Sequence, residues 1–93
     1  MLKHEVAGRF FDIAKERLGS GLELNVELTP SGVCLRNYKW EGSDCIGVTT
    51  LCFHVESQSF WIDAEVTSNA SPRFKYFKSE GSAVHEFLRR VEK

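Results

Sequence analysis

The 93-residue chain carries 12 basic and 13 acidic residues, a formal net charge of −1, and 42% of its residues are apolar. This composition is typical of a globular protein and argues against a disordered chain, a fibrous protein or a general polyanion binder. One domain over residues 1–93 is expected, because each half alone would be too small to bury a core. No apolar run approaches the roughly 20 residues of a membrane-spanning helix, and no secretory signal is visible, so we predict a cytoplasmic protein without a membrane partner.

The cysteine content argues against a disulfide framework. Cys34, Cys45 and Cys52 are an odd number of cysteines without a closely spaced pair. Small secreted domains usually carry an even number, and structural zinc sites usually draw on closely spaced cysteine pairs. We therefore predict three reduced thiols in or near a sheet, and we predict neither a metal site nor a cofactor.

Charge is distributed unevenly along the chain. Residues 40–72 contain five acidic residues and no lysine or arginine, whereas residues 73–93 contain six basic and three acidic residues. Such an asymmetry can steer a charged partner even when the net charge is near zero. The alternative interpretation is that both segments form ordinary solvated surfaces.

The first two elements are distinguished by their hydrophobic period. Apolar residues three and four apart, set among charged residues, predict an amphipathic helix over residues 3–18. Residues 22–29 alternate strictly between apolar and polar side chains, which predicts a strand with one buried face. The predicted core side of this strand comprises Leu22, Leu24, Val26 and Leu28.

Three further strands follow along the chain. A turn at 29–32 leads into a strand over 33–40. Asn37 and Lys39 fall on its core side, so we expect the strand to leave the core or to bulge near Asn37. The next two apolar runs predict strands over 45–55 and 60–66.

The last two of these strands should form a hairpin. A loop at 56–59 pairs Val55 with Phe60 and sets Cys52 across from Asp63. The same register sets Thr50 across from Glu65 and His54 across from Trp61.

The remaining segments complete the domain. Residues 67–71 are polar and predict a loop, and 73–78 predict an edge strand because lysines protect exposed edges. A last helix begins at Ser79 or Ser82 and ends near residue 92. We predict a two-layer α+β domain in the order α-β-β-β-β-(β)-α. Its mostly antiparallel, four- to five-stranded sheet has one face covered by the N- and C-terminal helices.

The uncovered face of this sheet is unusually aromatic. A solvated sheet face normally carries polar side chains, but here it includes two tryptophans and a tyrosine. An exposed patch of this kind, about a few hundred Å² in area, marks interaction sites, and tryptophan and tyrosine contribute strongly to binding. The alternatives are a different strand register or a loop that folds over the patch. The predicted protein-binding residues are Tyr38, Trp40, Ile46, Val48, His54, Trp61, Asp63 and Glu65.

The sequence does not predict an enzyme. No glycine-rich phosphate-binding loop is present. Cys52, His54 and Asp63 form a cluster that resembles a catalytic constellation, but it lies on a flat sheet, and a neighbouring carboxylate raises the pKa of a thiol. We therefore predict no catalytic residues.

A nucleic-acid interface is the alternative function. Arg73, Lys75, Tyr76 and Lys78 interleave cations with an aromatic ring, as stacking surfaces for nucleic acids do. Against this, the sequence pI of 6.3 is low for such a domain.

The leading hypothesis is a small non-enzymatic protein-binding module, such as an adaptor, a chaperone-like protein or an inhibitor. Its acidic side chains favour a partner with a basic surface. By analogy with other acidic small domains, the partner could be a nucleic-acid-handling machine that the module occludes. A homodimer formed through the same face remains open.

Overall fold

A computed structural model of the chain describes residues 1–66 and 73–92, with the side chains of 64–66 and 73–74 left out. Its α+β architecture and the terminal positions of both helices confirm the predicted fold class. Neither helix in the described part is long and apolar enough to cross a membrane. The loop predicted at 67–71 lies outside the described residues. The elements are α1 (Lys3–Glu16), β1 (Glu23–Thr29), β2 (Gly32–Glu41), β3 (Asp44–His54), β4 (Ser59–Val66), β5 (Arg73–Phe77) and α2 (Glu80–Val91).

All five strands form one antiparallel sheet in the order β1-β2-β3-β4-β5, so β1 and β5 are its edges. The turn between β1 and β2 ends at Gly32, whose backbone amide donates to Thr29 Oγ1 at 3.0 Å. A Cβ atom at Gly32 would lie 1.7 Å from the carbonyl oxygen of Phe53. Only glycine permits this close approach of β2 to β3.

Both helices pack on the same face of the sheet. α1 contacts β1 and β2, and α2 contacts β3, β4 and β5. The helices are joined to each other by a bidentate ion pair from Arg9 to Glu80, with N–O distances of 2.6 and 2.8 Å, and by a second pair from Arg17 to Glu92. The buried core contains Val6, Ala7 and Phe10 of α1, Val33, Leu35, Leu51, Phe53, Phe60 and Ile62 of the sheet, and Ala83, Phe87 and Val91 of α2.

The helix boundaries and one strand position refine the prediction. α2 begins after Ser79, whose side chain accepts a hydrogen bond from the Ser82 amide at 3.4 Å, so Ser79 and not Ser82 is the N-cap. α1 ends two residues before the predicted boundary, at Glu16. Leu28 was predicted on the core side but is 65% exposed, because it lies near the end of an edge strand.

The strand leaves the core and bulges just beyond Asn37, close to the predicted position. Asn37 continues β2 and is 1% exposed, and its Nδ2 donates to the Glu23 carbonyl oxygen at 3.1 Å. This bond satisfies the side-chain nitrogen of Asn37, whereas its Oδ1 is buried without a hydrogen-bond partner among the described residues. The irregularity lies between Lys39 and Trp40, opposite Ile46, which has no partner in the β2–β3 register.

The predicted register of the β3–β4 hairpin is wrong by two residues. Phe53, and not Val55, pairs with Phe60, and the Phe53 and Phe60 ring centroids lie 4.9 Å apart. The turn closes one residue earlier because Gln58 adopts a positive φ of 52° and its Nε2 donates to the Val55 carbonyl oxygen at 2.7 Å. A shift of two residues keeps every side chain on its predicted face, because the side-chain period of a strand is two.

Candidate functional site

The face of the sheet opposite the helices carries the aromatic residues that the sequence placed there. We call this surface the outer face. Alternate residues of each strand point to it, because successive side chains of a strand lie on opposite faces. Its described side chains include Glu23 and Glu27 of β1, Arg36, Tyr38 and Trp40 of β2, Val48, Thr50, Cys52 and His54 of β3, Trp61 and Asp63 of β4, and Tyr76 of β5.

A concave pocket of about 530 Å³ lies at the centre of the outer face. Its size falls within the range of about 300–1,000 Å³ that ligand pockets occupy. Five of the predicted binding residues meet in it, although they come from three strands. The pocket is lined by Arg36, Tyr38, Val48, Thr50, Cys52, His54, Trp61 and Asp63.

The other three predicted binding residues lie outside the pocket lining. Trp40 and Ile46 lie at the bulged end of the β2–β3 hairpin, and they are 51% and 42% exposed. The backbone of Glu65 pairs with Val48, but the Glu65 side chain lies outside the described part of the structure.

Trp61 is held between aromatic neighbours. Its ring centroid lies 4.1 Å from that of Tyr76 and 5.4 Å from that of His54. Tyr76 pairs with Trp61 across β4 and β5, and Cys52 pairs with it across β3 and β4. Aromatic pairs of this kind contribute about 0.5–1.5 kcal/mol beyond the area they bury, so these two contacts stabilise the position of the Trp61 ring.

Carboxylates outnumber cations on the described outer face. Arg36 donates to the Glu27 carboxylate, and the Trp40 indole Nε1 donates to the Glu23 carboxylate. Asp63 lies in the pocket lining, and it pairs with Thr50 in place of the predicted Cys52. The pocket therefore combines an aromatic wall with one carboxylate, Asp63, and one guanidinium, Arg36, which is paired with Glu27 beside the pocket.

Two cysteines meet on this face, a contact that the sequence interpretation missed. Cys34 and Cys52 are directly paired in the β2–β3 register, and their Sγ atoms are 2.6 Å apart. The hydrogen bond with Cys52 lowers the pKa of Cys34. The same bond, burial and the charge of Asp63 raise the pKa of Cys52. As predicted, the Asp63 carboxylate raises the pKa of the Cys52 thiol, although Asp63 lies opposite Thr50 and not opposite Cys52.

The described residues contain no group of three or more His, Cys, Asp or Glu side chains arranged to hold a metal ion. Cys45, the third cysteine, lies near the other end of β3, where its Sγ is 3.6 Å from the Gly47 carbonyl oxygen. Seven residues of strand, about 23 Å at roughly 3.3 Å per residue, separate it from Cys52.

The residues of the alternative nucleic-acid site lie on different faces. β5 directs Tyr76 towards Trp61 on the outer face, whereas the Lys75 Nζ lies 5.3 Å from the centroid of Phe77, which packs against the core on the helix side. Lys78 is exposed just beyond the end of β5. Arg73 pairs with Ala64 through the backbone, and its side chain is outside the described residues.

Comparisons with models of protein families, with curated proteins and with solved structures give no match.

Proposed function

We propose that this protein is a small non-enzymatic binding module whose outer face captures a basic segment of a protein partner. The observation that carries this proposal is the aromatic pocket of about 530 Å³, with Asp63 in its lining, on a sheet face that the helices leave uncovered. An adaptor, a chaperone-like protein and an inhibitor would all use such a surface. Occlusion of a nucleic-acid-handling protein is one form that this activity would take, since such proteins expose basic surfaces.

The aromatic content supports a macromolecular partner. Trp40 and Tyr76 are each more than half exposed at opposite sides of the pocket. Large aromatic side chains gain much free energy when a partner covers them and lose little conformational entropy, because they have few rotatable bonds. A soluble chain that exposes several of them on one face gains most when a partner removes that face from water.

The charges support a basic partner. The outer face carries Glu23, Glu27 and Asp63 against Arg36 among its described side chains, and Arg36 already pairs with Glu27. A lysine or arginine entering the pocket would gain contacts with the Asp63 carboxylate and with the Trp61 ring. A second copy of this chain fits less well, since a two-fold interface sets the same acidic patch against itself.

The thiol chemistry supports binding over catalysis. A nucleophilic cysteine needs a lowered pKa and an open approach. Cys52 lies in the pocket but its pKa is raised, whereas the pKa of Cys34 is lowered but this residue is 4% exposed. Neither thiol combines the two properties.

The nucleic-acid alternative has weaker support. A stacking surface needs aromatic rings and cations on one face, so that bases and phosphates bind together. Tyr76 lies beside the acidic outer face, and Lys75 lies on the helix side. A strand of nucleic acid that stacked on Tyr76 would therefore approach Asp63 and not Lys75.

The two tryptophans allow a direct test of the proposal. In the variant Trp40→Phe the only tryptophan left is Trp61, so its fluorescence reports on the pocket. Matched synthetic peptides with a central aromatic residue would be added, one set flanked by lysine and arginine and the other by glutamate and aspartate. We expect a saturable change in emission with the basic set alone.

Charge reversal provides the matched control. Asp63→Lys in the same Trp40→Phe background should abolish the response to the basic peptides, whereas Phe11→Ser, which alters an exposed aromatic residue on α1, should not. An equal response to both peptide sets would contradict the proposal. So would a response only to a single-stranded oligonucleotide that is lost in Lys75→Glu, which would favour the alternative function.

A further inference from the structure

Cys34 and Cys52 lie on the two strands β2 and β3, two residue pairs from the end of their ladder at Gly32 and His54. They are directly opposite each other on β2 and β3, with 2.6 Å between the Sγ atoms. Directly opposed residues of antiparallel strands have Cα atoms about 4.5–5.5 Å apart. This range falls within the roughly 4.4–6.8 Å that disulfides span. The two strands therefore already hold these residues at a separation that a disulfide accepts.

We propose that Cys34 and Cys52 are a reversible oxidation site, at which an external disulfide such as oxidised glutathione converts the two thiols into a cross-strand disulfide. This proposal does not depend on the proposed binding function, because it rests on the register, the sulfur contact and the accessibility of the two residues.

Access to the pair is asymmetric. Cys52 lines the pocket and is partly exposed, whereas Cys34 is 4% exposed. A small-molecule disulfide that enters the pocket therefore meets Cys52 first, and Cys34 takes the role of the resolving cysteine.

The exchange proceeds in two balanced steps. Cys52 loses its proton to solvent, and its thiolate attacks one sulfur of the oxidant; one glutathione leaves as a thiolate that takes up a proton. Cys34 then attacks the Cys52 sulfur of the mixed disulfide, and the second glutathione leaves with the proton from Cys34. Two protein thiols lose two electrons and two protons in total, and one oxidised glutathione becomes two thiols.

The third cysteine serves as an internal control. Cys45 lies seven residues away along β3 and contacts the Gly47 carbonyl oxygen, so it cannot reach either member of the pair within the folded chain. An intramolecular disulfide in the dilute protein should therefore join Cys34 and Cys52, whereas Cys45 can form only a mixed disulfide with glutathione.

The test is to incubate the reduced, folded protein with oxidised glutathione and to measure free thiols and intact mass. In Cys45→Ser, which removes the third thiol, we expect the loss of both remaining thiols, a mass decrease of two hydrogen atoms and full reversal by dithiothreitol. Trypsin cuts after Arg36 and Lys39 but nowhere between residues 45 and 52, so without reduction the variant's Cys34 peptide should be recovered joined to the peptide that holds Cys52. The wild type should form the same bond, and any glutathione on Cys45 would add to its mass without changing that bond.

Removal of the resolving cysteine gives the sharpest outcome. In Cys34→Ser, or in Cys34→Ala if the hydroxyl disturbs the buried site, Cys52 should accumulate a stable glutathione adduct. Circular dichroism would show that the variant is folded. Retention of all three thiols in the wild type, a stable adduct on wild-type Cys52, or an intramolecular disulfide that includes Cys45 would each overturn the proposal.

Discussion

The two faces of the central sheet differ in the kind of aromatic residue that they carry. The covered face packs Phe53 and Phe60 against Phe10 of α1 and Phe87 of α2, all of them fully buried or nearly so. The outer face instead carries tryptophan, tyrosine and histidine, which remain partly or largely exposed. Phenylalanine has no polar atom to satisfy, whereas tryptophan and tyrosine combine an apolar ring with a hydrogen-bonding group. Strand alternation alone separates these two sets, and the difference indicates a core on one side and a binding surface on the other.

The largest expected effect lies on the covered face. Phe10→Ala should destabilise the protein by about 3–5 kcal/mol, because it removes a fully buried ring and leaves a cavity between α1 and the sheet. Urea unfolding followed by circular dichroism would measure this loss. Phe11→Ala on the same helix is the matched control, and it should change the stability by less than about 1 kcal/mol because Phe11 is exposed. Equal losses in the two variants would contradict the assignment of the covered face.

The sheet that divides the two faces requires a close approach of β2 to β3 at Gly32. Gly32→Ala should cost about 1–3 kcal/mol or more, because its Cβ would collide with the Phe53 carbonyl oxygen. Gly8→Ala is the matched control, since a Cβ at that position of α1 meets no atom within 4 Å. We expect this control to stabilise the protein by about 0.5–1 kcal/mol through its higher helix propensity. If Gly32→Ala left the free energy of unfolding unchanged, β2 and β3 would have to be further apart at this position than the structure shows.

On the outer face, function should respond more strongly than stability. Trp61→Ser should cost about 1–2 kcal/mol of stability, because it removes the ring contacts with Tyr76 and His54. The protein should stay folded and lose its capture of basic peptides, measured by isothermal calorimetry. If Trp61→Ser lowers the free energy of unfolding as much as Phe10→Ala does, the outer face is a second core and not a binding surface.

The smallest effect on stability is expected from the ion pairs of Glu86 on α2. Hydrogen bonds from Arg89 and Arg90 lower the pKa of Glu86 from its ordinary 4.5 to about 2. The folded state therefore binds fewer protons than the unfolded state, so this contribution is present above pH 4.5 and is lost as the pH falls towards 2. An NMR titration of the carboxyl carbon should have its midpoint near the lower value. Glu86→Gln should reduce the loss of stability between pH 4.5 and 2. A titration midpoint near 4.5 in the wild type would contradict the ion pairs.

The sequence predicted the fold class and the membership of both faces, because strict alternation and two amphipathic helices are local signals. It did not predict the register that builds the pocket. Without the bulge, the hairpin pairing of Glu41 with Asp44 would set Cys34 across from Leu51. The extra residue Ile46 shifts the partner of Cys34 to Cys52, and no local signal in the sequence marks that position.

The register of the β3–β4 hairpin was predicted wrongly for a similar reason. Its turn is closed by Gln58, a non-glycine residue with a positive φ, and by the contact of its side chain with the Val55 carbonyl oxygen. Turn prediction favours glycine, asparagine and aspartate at such positions, so Gln58 gave no signal. The meeting of Trp61 with Cys52, and of Asp63 with Thr50, depends on that turn.

The most direct test of the binding face is to map it at the level of single residues. ¹H–¹⁵N spectra of the labelled protein would be recorded while the tightest-binding basic peptide is added. We predict that the largest shifts fall on Arg36, Val48, Cys52, Trp61 and Asp63, with the Trp61 indole signal among them. Shifts confined to the helices, or to Lys75 and Lys78, would contradict the assignment of the outer face as the binding surface.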